Sequence, residues 1–307
     1  MRISRRVKAS AGAAFVLILL FAGYVAFRFF THGPPALARA KVPAPAGILR
    51  YGRAPSQLIE VRLPSGAGPY PAAILIHGGC WNTTYGSLGD LRPLAEALRK
   101  RGIATFNIGY RRVGEAGGGW PGTFQDVGAA VDAVRSVASR YTVDPGRIAV
   151  AGHSAGAFLA LWTATRKKLQ PSSAVYVADP ATPTAVVAID GPGSLSEFIG
   201  LDADICGSPA IVPLMGGTPR QVPQRYRDAT PQDHLPLGVP QFVVRGGMKQ
   251  PSDRYLALAR AAGDVVQFAE PSRATHFDVL MPWQKQGEPA LDFITRAVRK
   301  PTQSAPH

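Results

Sequence analysis

The residues best suited to chemistry stand in Gly152-His153-Ser154-Ala155-Gly156. Residues 147–151 before them form a short apolar run that predicts a buried strand, and residues 155–162 after them predict a helix. Strand, sharp turn and helix give Gly-x-Ser-x-Gly its chemical meaning. The glycines remove side chains where the bend would clash, and the Ser154 hydroxyl stands at the tip. The helix start places backbone N–H groups and a positive dipole end beside it. In that setting Ser154 is a candidate nucleophile; without it the same letters are a glycine-rich turn with an idle serine. A serine hydroxyl attacks poorly until an imidazole takes its proton, and the anion that forms needs donors fixed in advance.

The flanking elements have to supply those partners. Residues 47–52 and 57–63 predict two opening strands. Residues 71–76 predict a buried strand that runs into His77-Gly78-Gly79-Cys80-Trp81. A glycine pair after a strand lets backbone N–H groups point into a cavity. His77 reads as a brace for this loop rather than a base, and Trp81 as a packing residue. Residues 91–101 predict an amphipathic helix, 103–108 a strand and 124–141 a helix, with Asp126 in its first turn suiting the dipole. The glycine-rich stretch 117–122 is followed by no Gly-Lys-Ser/Thr, which argues against a nucleotide-phosphate loop. Residues 185–190 and 241–244 predict further strands, 252–262 a helix, 265–269 the last strand and 289–299 a terminal helix. Residues 191–230, irregular and rich in Gly and Pro, read as an insertion that covers the site.

Taken together, the strand into His77-Gly78-Gly79-x-Trp81, the strand and helix that follow, and Gly152-His153-Ser154-Ala155-Gly156 before a helix resemble the α/β-hydrolase superfamily. Gly119-Trp120-Pro121-Gly122, Asp126 and the serine motif resemble its esterase/lipase branch, with kynurenine formamidase-like and feruloyl-esterase-like members. The resemblance covers roughly residues 47–300 and implies a mostly parallel sheet with helices on both faces. It also implies an acyl-enzyme on Ser154 and a catalytic histidine in the loop after the last strand, where His276 stands. The expected oxyanion donors are the N–H groups of Gly79, Cys80 and Ala155. The expected acid is Asp253. Members of the superfamily usually carry an Asp shortly after the 241–244 strand, but here Lys249 stands in that place and Asp253 is the nearest carboxylate. A helix N-terminal charge is the competing role for Asp253, and Asp190, at the end of an earlier strand, is the second candidate. Asp278 is too close in sequence to His276 to orient it. The expected reaction is hydrolysis of a carboxylic ester or small amide. Lys249 leaves room for an alternative, an impaired hydrolase-like binding or scaffold protein.

The chain has 307 residues and a formal net charge of +14. That length suits one large α/β domain or two small ones. The basic residues are scattered without aromatic interleaving, which argues against nucleic acid. Arg2, Arg5, Arg6 and Lys8 precede an apolar run over residues 9–27, which reads as a signal anchor within residues 1–30. Residues 31–46 read as a linker and 301–307 as a tail. On this reading a bacterial inner membrane holds the protein, and the catalytic domain lies outside the cytoplasm. A cleaved signal peptide, cut near Ala36-Leu37-Ala38 or Ala38-Arg39-Ala40, is the alternative, with a secreted product. The only cysteines, Cys80 and Cys206, are permitted to pair in such a compartment, which would pin the cover across the site. No Cys/His spacing suggests a metal, and no cofactor is expected. Oligomeric state stays open.

Overall fold

A computed structural model describes residues 33–299 together with residues 17, 18, 21–23, 25 and 31. The chain divides into two compact units, residues 1–40 and 41–307. In the first, a short helix, α1 (Pro34–Arg39), opens on prolines at its first positions, where a missing N–H costs nothing. It lies within the stretch read as a linker.

The second unit is built on one sheet of eight strands. They are β1 (Gly47–Arg50), β2 (Leu58–Arg62), β3 (Tyr70–Ile76), β4 (Ala104–Ile108), β5 (Val143–His153), β6 (Ala185–Ile189), β7 (Gln241–Val244) and β8 (Val266–Ala269). Their spatial order is β1-β2-β4-β3-β5-β6-β7-β8. The first two strands join antiparallel, and every pair from β4 onward is parallel. Parallel strands are buried on both faces, which is why every residue of β4 and β6 is buried and β6 reads as an unbroken apolar run.

Helices cover both faces. α2 (Arg92–Lys100) and α3 (Gly122–Val137) flank the first half of the sheet. α4 (Ala155–Thr165) follows the serine; all of its residues are buried, as expected of a helix that is apolar all round. The segment 191–230, expected to cover the site, is more regular than its composition suggests. It holds α5 (Leu201–Cys206), α6 (Ile211–Met215) and α7 (Pro223–Ala229), kept short by Gly200, Gly207, Gly216 and Pro223. Asp202 ties it together, its Oδ2 accepting from the N–H groups of Ala210 and Ile211 at 2.8 and 2.9 Å. α8 (Asp253–Ala261) and α9 (Glu288–Ala297) complete the layers; α9 packs on β6, β7 and α2.

The register decides where chemistry can happen. Ile76 pairs with Gly152, His153 with Ile189, and Ile189 with Val244. The loops after β3, β5, β6 and β7 therefore leave the sheet side by side. After β3 the chain turns one way to β4 and then returns to the other side of β3 as β5, which makes a switch point at the strand ends where α/β proteins place ligands.

The expected N-terminal spanning helix is corrected. Among the described residues no helix is long and apolar enough to cross a membrane. With it go the membrane as partner and the inner-membrane location. Most of residues 1–30, and all of 301–307, lie outside the described residues.

Candidate active site

Ser154 sits between β5 and α4 with φ 55° and ψ −122°, a backbone region that side-chain-bearing residues rarely enter. Such a residue is strained by about 1–3 kcal/mol and persists only where its surroundings hold it. Here the Ser154 N–H donates to the Ile189 carbonyl at 2.9 Å. The glycines around it are forced by close approach. A Cβ on Gly152 would lie 2.0 Å from the Gly156 carbonyl oxygen, and one on Gly156 would lie 2.0 Å from that of Ile76. Neither neighbour can yield, because both are backbone. Gly156→Ala is expected to lower stability by about 3 kcal/mol or more, at the severe end for single substitutions. The urea midpoint measures this, and an unchanged midpoint would show that the bend has slack.

The loop after β3 abuts this serine: a Cβ on Gly78 would come within 2.9 Å of the Ser154 Cβ. Gly79, Cys80 and Trp81 follow with φ 106°, 51° and 53°, a left-handed run that turns the backbone back across the strand end. Among the described residues, the N–H groups of Gly79, Cys80 and Ala155 donate to no other group. His77 is walled in. Its Nδ1–H donates to the Gly78 carbonyl at 2.7 Å, its ring stacks on Tyr110 at 4.4 Å, and the Tyr110 hydroxyl donates to the His77 carbonyl. Burial, reinforced by Arg112, outweighs the Gly78 hydrogen bond and lowers its pKa to about 3, so the ring stays neutral. Trp81 is buried with its edge against Phe158.

Cys80 and Cys206 are bridged, across a sequence separation of 126 residues. The bridge ties the loop after β3 to α5. Replacing both cysteines with serine is expected to reduce stability by about 2–5 kcal/mol, the usual loss for a native disulfide. Thermal unfolding with and without reductant reads the same quantity on the unaltered chain. Equal melting temperatures would mean that the bridge constrains nothing.

His276 lies in the loop after β8. Its Nδ1–H donates to Asp190 Oδ2 at 2.8 Å. Asp190, the residue after β6, is fully buried and also accepts from the Met248 N–H at 3.0 Å. Burial alone would push its carboxyl up. The hydrogen bonds from His276, Met248 and Gly246 outweigh that and hold it below the usual carboxylate range, so it is ionised at neutral pH. Asp190 immediately follows Ile189, whose carbonyl fixes Ser154. The serine bend and the Asp190–His276 pair therefore share one strand end.

Asp253 lies elsewhere. It starts α8 with its side chain almost wholly exposed and pairs with Arg245 at 2.7 Å. The structure does not bring it to His276. Lys249, in the place of the expected acid, pairs with Glu270. Asp278 is buried, and its Oδ2 accepts from the Thr275 N–H at 3.3 Å within the same turn. Asp126 clamps a loop: its carboxylate takes the Arg111 guanidinium and N–H and the Gln57 amide, at 2.7–2.9 Å. His153 has no role in the sequence reading, yet it is buried against His276, with ring centroids 4.3 Å apart. Its place inside the glycine motif was the only sign. No group of three or more His, Cys, Asp or Glu among the described residues could hold a metal ion.

Comparison with known proteins identifies the family. A family model described as BD-FAE matches residues 59–255. The probable carboxylic ester hydrolase LipM of Mycobacterium tuberculosis is 29% identical over 265 residues, 78% of this chain and 58% of that protein. Esterase EstD of Thermotoga maritima is 30% identical over 136 residues, 43% of this chain and 32% of that protein. The chain thus spans less than two thirds of the length of these relatives. A truncated carbohydrate esterase from gut microbiota superposes with a TM-score of 0.69 at 22% identity, over 85% of this chain and 100% of that one. Propionate-bound esterase 2 of Thermogutta terrifontis gives 0.64 at 19% identity, over 82% and 92%. At these identities the two structures speak to the fold alone. The family match covers well over half of the chain and includes β3, β5, β6 and the serine bend, and on that ground the protein belongs to the BD-FAE family, among the esterases and lipases of the α/β-hydrolase fold.

Proposed function

We propose that this hydrolase cleaves small carboxylic esters through an acyl-enzyme on Ser154, with His276 as the base and Asp190 as the acid that orients it. In the first half, Ser154 Oγ attacks the ester carbonyl carbon while His276 Nε2 takes the hydroxyl proton. The carbonyl oxygen becomes an anion, held by the N–H groups of Gly79, Cys80 and Ala155. The intermediate then collapses: the C–O bond to the alcohol breaks, and His276 returns the proton to the departing oxygen. In the second half, water gives a proton to His276 and attacks the acyl carbon. Ser154 leaves with that proton, and the carboxylic acid departs.

One observation carries the reading: the His276 Nδ1–Asp190 hydrogen bond at 2.8 Å, at the strand end that fixes Ser154. The bond puts the ring proton on Nδ1 and leaves Nε2 as the acceptor that the first step requires. An ionised, buried Asp190 also favours the imidazolium as it forms. Relatives named as a carboxylic ester hydrolase and an esterase favour esters over amides. The binding or scaffold alternative drew its support from Lys249, and that support goes once a carboxylate from a different strand faces His276.

Hydrolysis of p-nitrophenyl acetate tests the reading. A rate proportional to enzyme concentration is expected. A rate no higher than that of buffer would contradict it.

A further inference from the structure

None of the steps above uses His153, the last residue of β5. It is 3% exposed. Its Nε2–H donates to the backbone carbonyl of His276 at 2.8 Å, and its ring lies 4.3 Å from the His276 ring at 34°. A carbonyl only accepts, so Nε2 carries the hydrogen and the tautomer of His153 is fixed.

Ala274 donates to Pro271, Thr275 to Asp278, and Asp278 back to Thr275, all within the loop and its turn. Among the described residues, His276 itself is tied to the sheet by two hydrogen bonds. One joins its ring to Asp190 and the other joins its carbonyl to His153. The first sets the orientation of the imidazole within its plane. The second sets the height of the backbone from which the imidazole hangs. A base must meet the serine proton within hydrogen-bond reach, and a displacement of about 1 Å can cost about a hundredfold in rate.

We propose that His153 is a positioning residue, holding the His276 backbone at the end of β5 so that the imidazole reaches Ser154. The inference rests on the reading of His276 as the base. His153 is adjacent in sequence to Ser154, so one bend fixes the nucleophile and the loop of its base together. Burial, then the neighbouring His276, outweighs the hydrogen bond to His276 and lowers the His153 pKa to about 3. The ring therefore stays neutral beside the imidazolium that catalysis creates, where a second cation would oppose it.

The test compares two amides that differ by one methylene. In His153→Gln the amide nitrogen reaches the place of Nε2 and keeps the donor; in His153→Asn it falls short. With p-nitrophenyl acetate, His153→Asn is expected to lose about a hundredfold in kcat with KM within about twofold, and His153→Gln to recover at least about tenfold of that loss. Equal kcat in the two variants, or a wild-type kcat in His153→Asn, overturns the proposal. A readout on the unaltered enzyme covers the case in which neither variant folds. The Nε2 proton of His153 is expected as a slowly exchanging resonance in a histidine-labelled 15N spectrum, and its absence overturns the proposal as well. Should the wild type itself show no turnover, the esterase reading fails first; turnover with equal Asn and Gln variants sinks only the role of His153.

Discussion

Asp190→Asn is expected to lower kcat for p-nitrophenyl acetate by about ten-thousandfold, with KM little changed, as when a buried triad carboxylate is neutralised. The size of the effect follows from the bond it alters. Asp190 Oδ2 accepts from His276 Nδ1, and the carboxylate is buried and ionised. An amide offers His276 a donor where it needs an acceptor, so the ring turns to the tautomer with its proton on Nε2, facing the serine. The stabilisation of the imidazolium disappears at the same time. The matched control is Asp253→Asn. That carboxylate is exposed and paired with Arg245, so the change is expected to leave kcat within about threefold, the scale of a surface ion pair. Circular dichroism and the melting temperature would show that both variants are folded. Losses of equal size at the two positions, or a larger loss at Asp253, would contradict the assignment.

Ser154→Ala is expected to cost more, about a millionfold in kcat, because removing the nucleophile leaves only binding and oxyanion donors. The remaining rate above buffer reports what the prearranged N–H groups of Gly79, Cys80 and Ala155 supply on their own. The backbone at this position has φ 55°, which alanine tolerates no better than serine, so stability should change little. A variant that retains wild-type turnover would remove Ser154 from the mechanism whatever else the fold suggests.

The serine bend was legible in the sequence because its glycines answer to steric contact. A Cβ on either Gly152 or Gly156 would fall 2.0 Å from a backbone oxygen that cannot move, a constraint that shows directly as a residue type. The central strands were legible because parallel strands are apolar on both faces; residues 71–76, 185–190 and 241–244 all fall on observed strands to within a residue or so. The acid was harder. Which strand end reaches His276 depends on the order of strands in space, with β6 between β5 and β7, and no local pattern encodes that order. Asp253 looked suitable by its nearness in sequence to β7, yet Arg245, at the end of that strand, captures it. Asp190 ranked second because it ends a strand that borders the site, and it is the carboxylate that accepts from the His276 ring. The partner of His153 lies 123 residues away, beyond any reading of neighbours along the chain. The N-terminal run was read from apolar content alone; most of it lies outside the described residues, among which no helix is long and apolar enough to cross a membrane.

The central claim is that Ser154 is a nucleophile activated by His276. Incubation of the purified chain with a fluorophosphonate, followed by peptide mass mapping, tests it most directly. The account predicts one phosphonylated residue per chain, at Ser154, with labelling slowed severely in His276→Ala and absent in Ser154→Ala. A chain that stays unlabelled, or one labelled at another residue while Ser154 is bare, would contradict it.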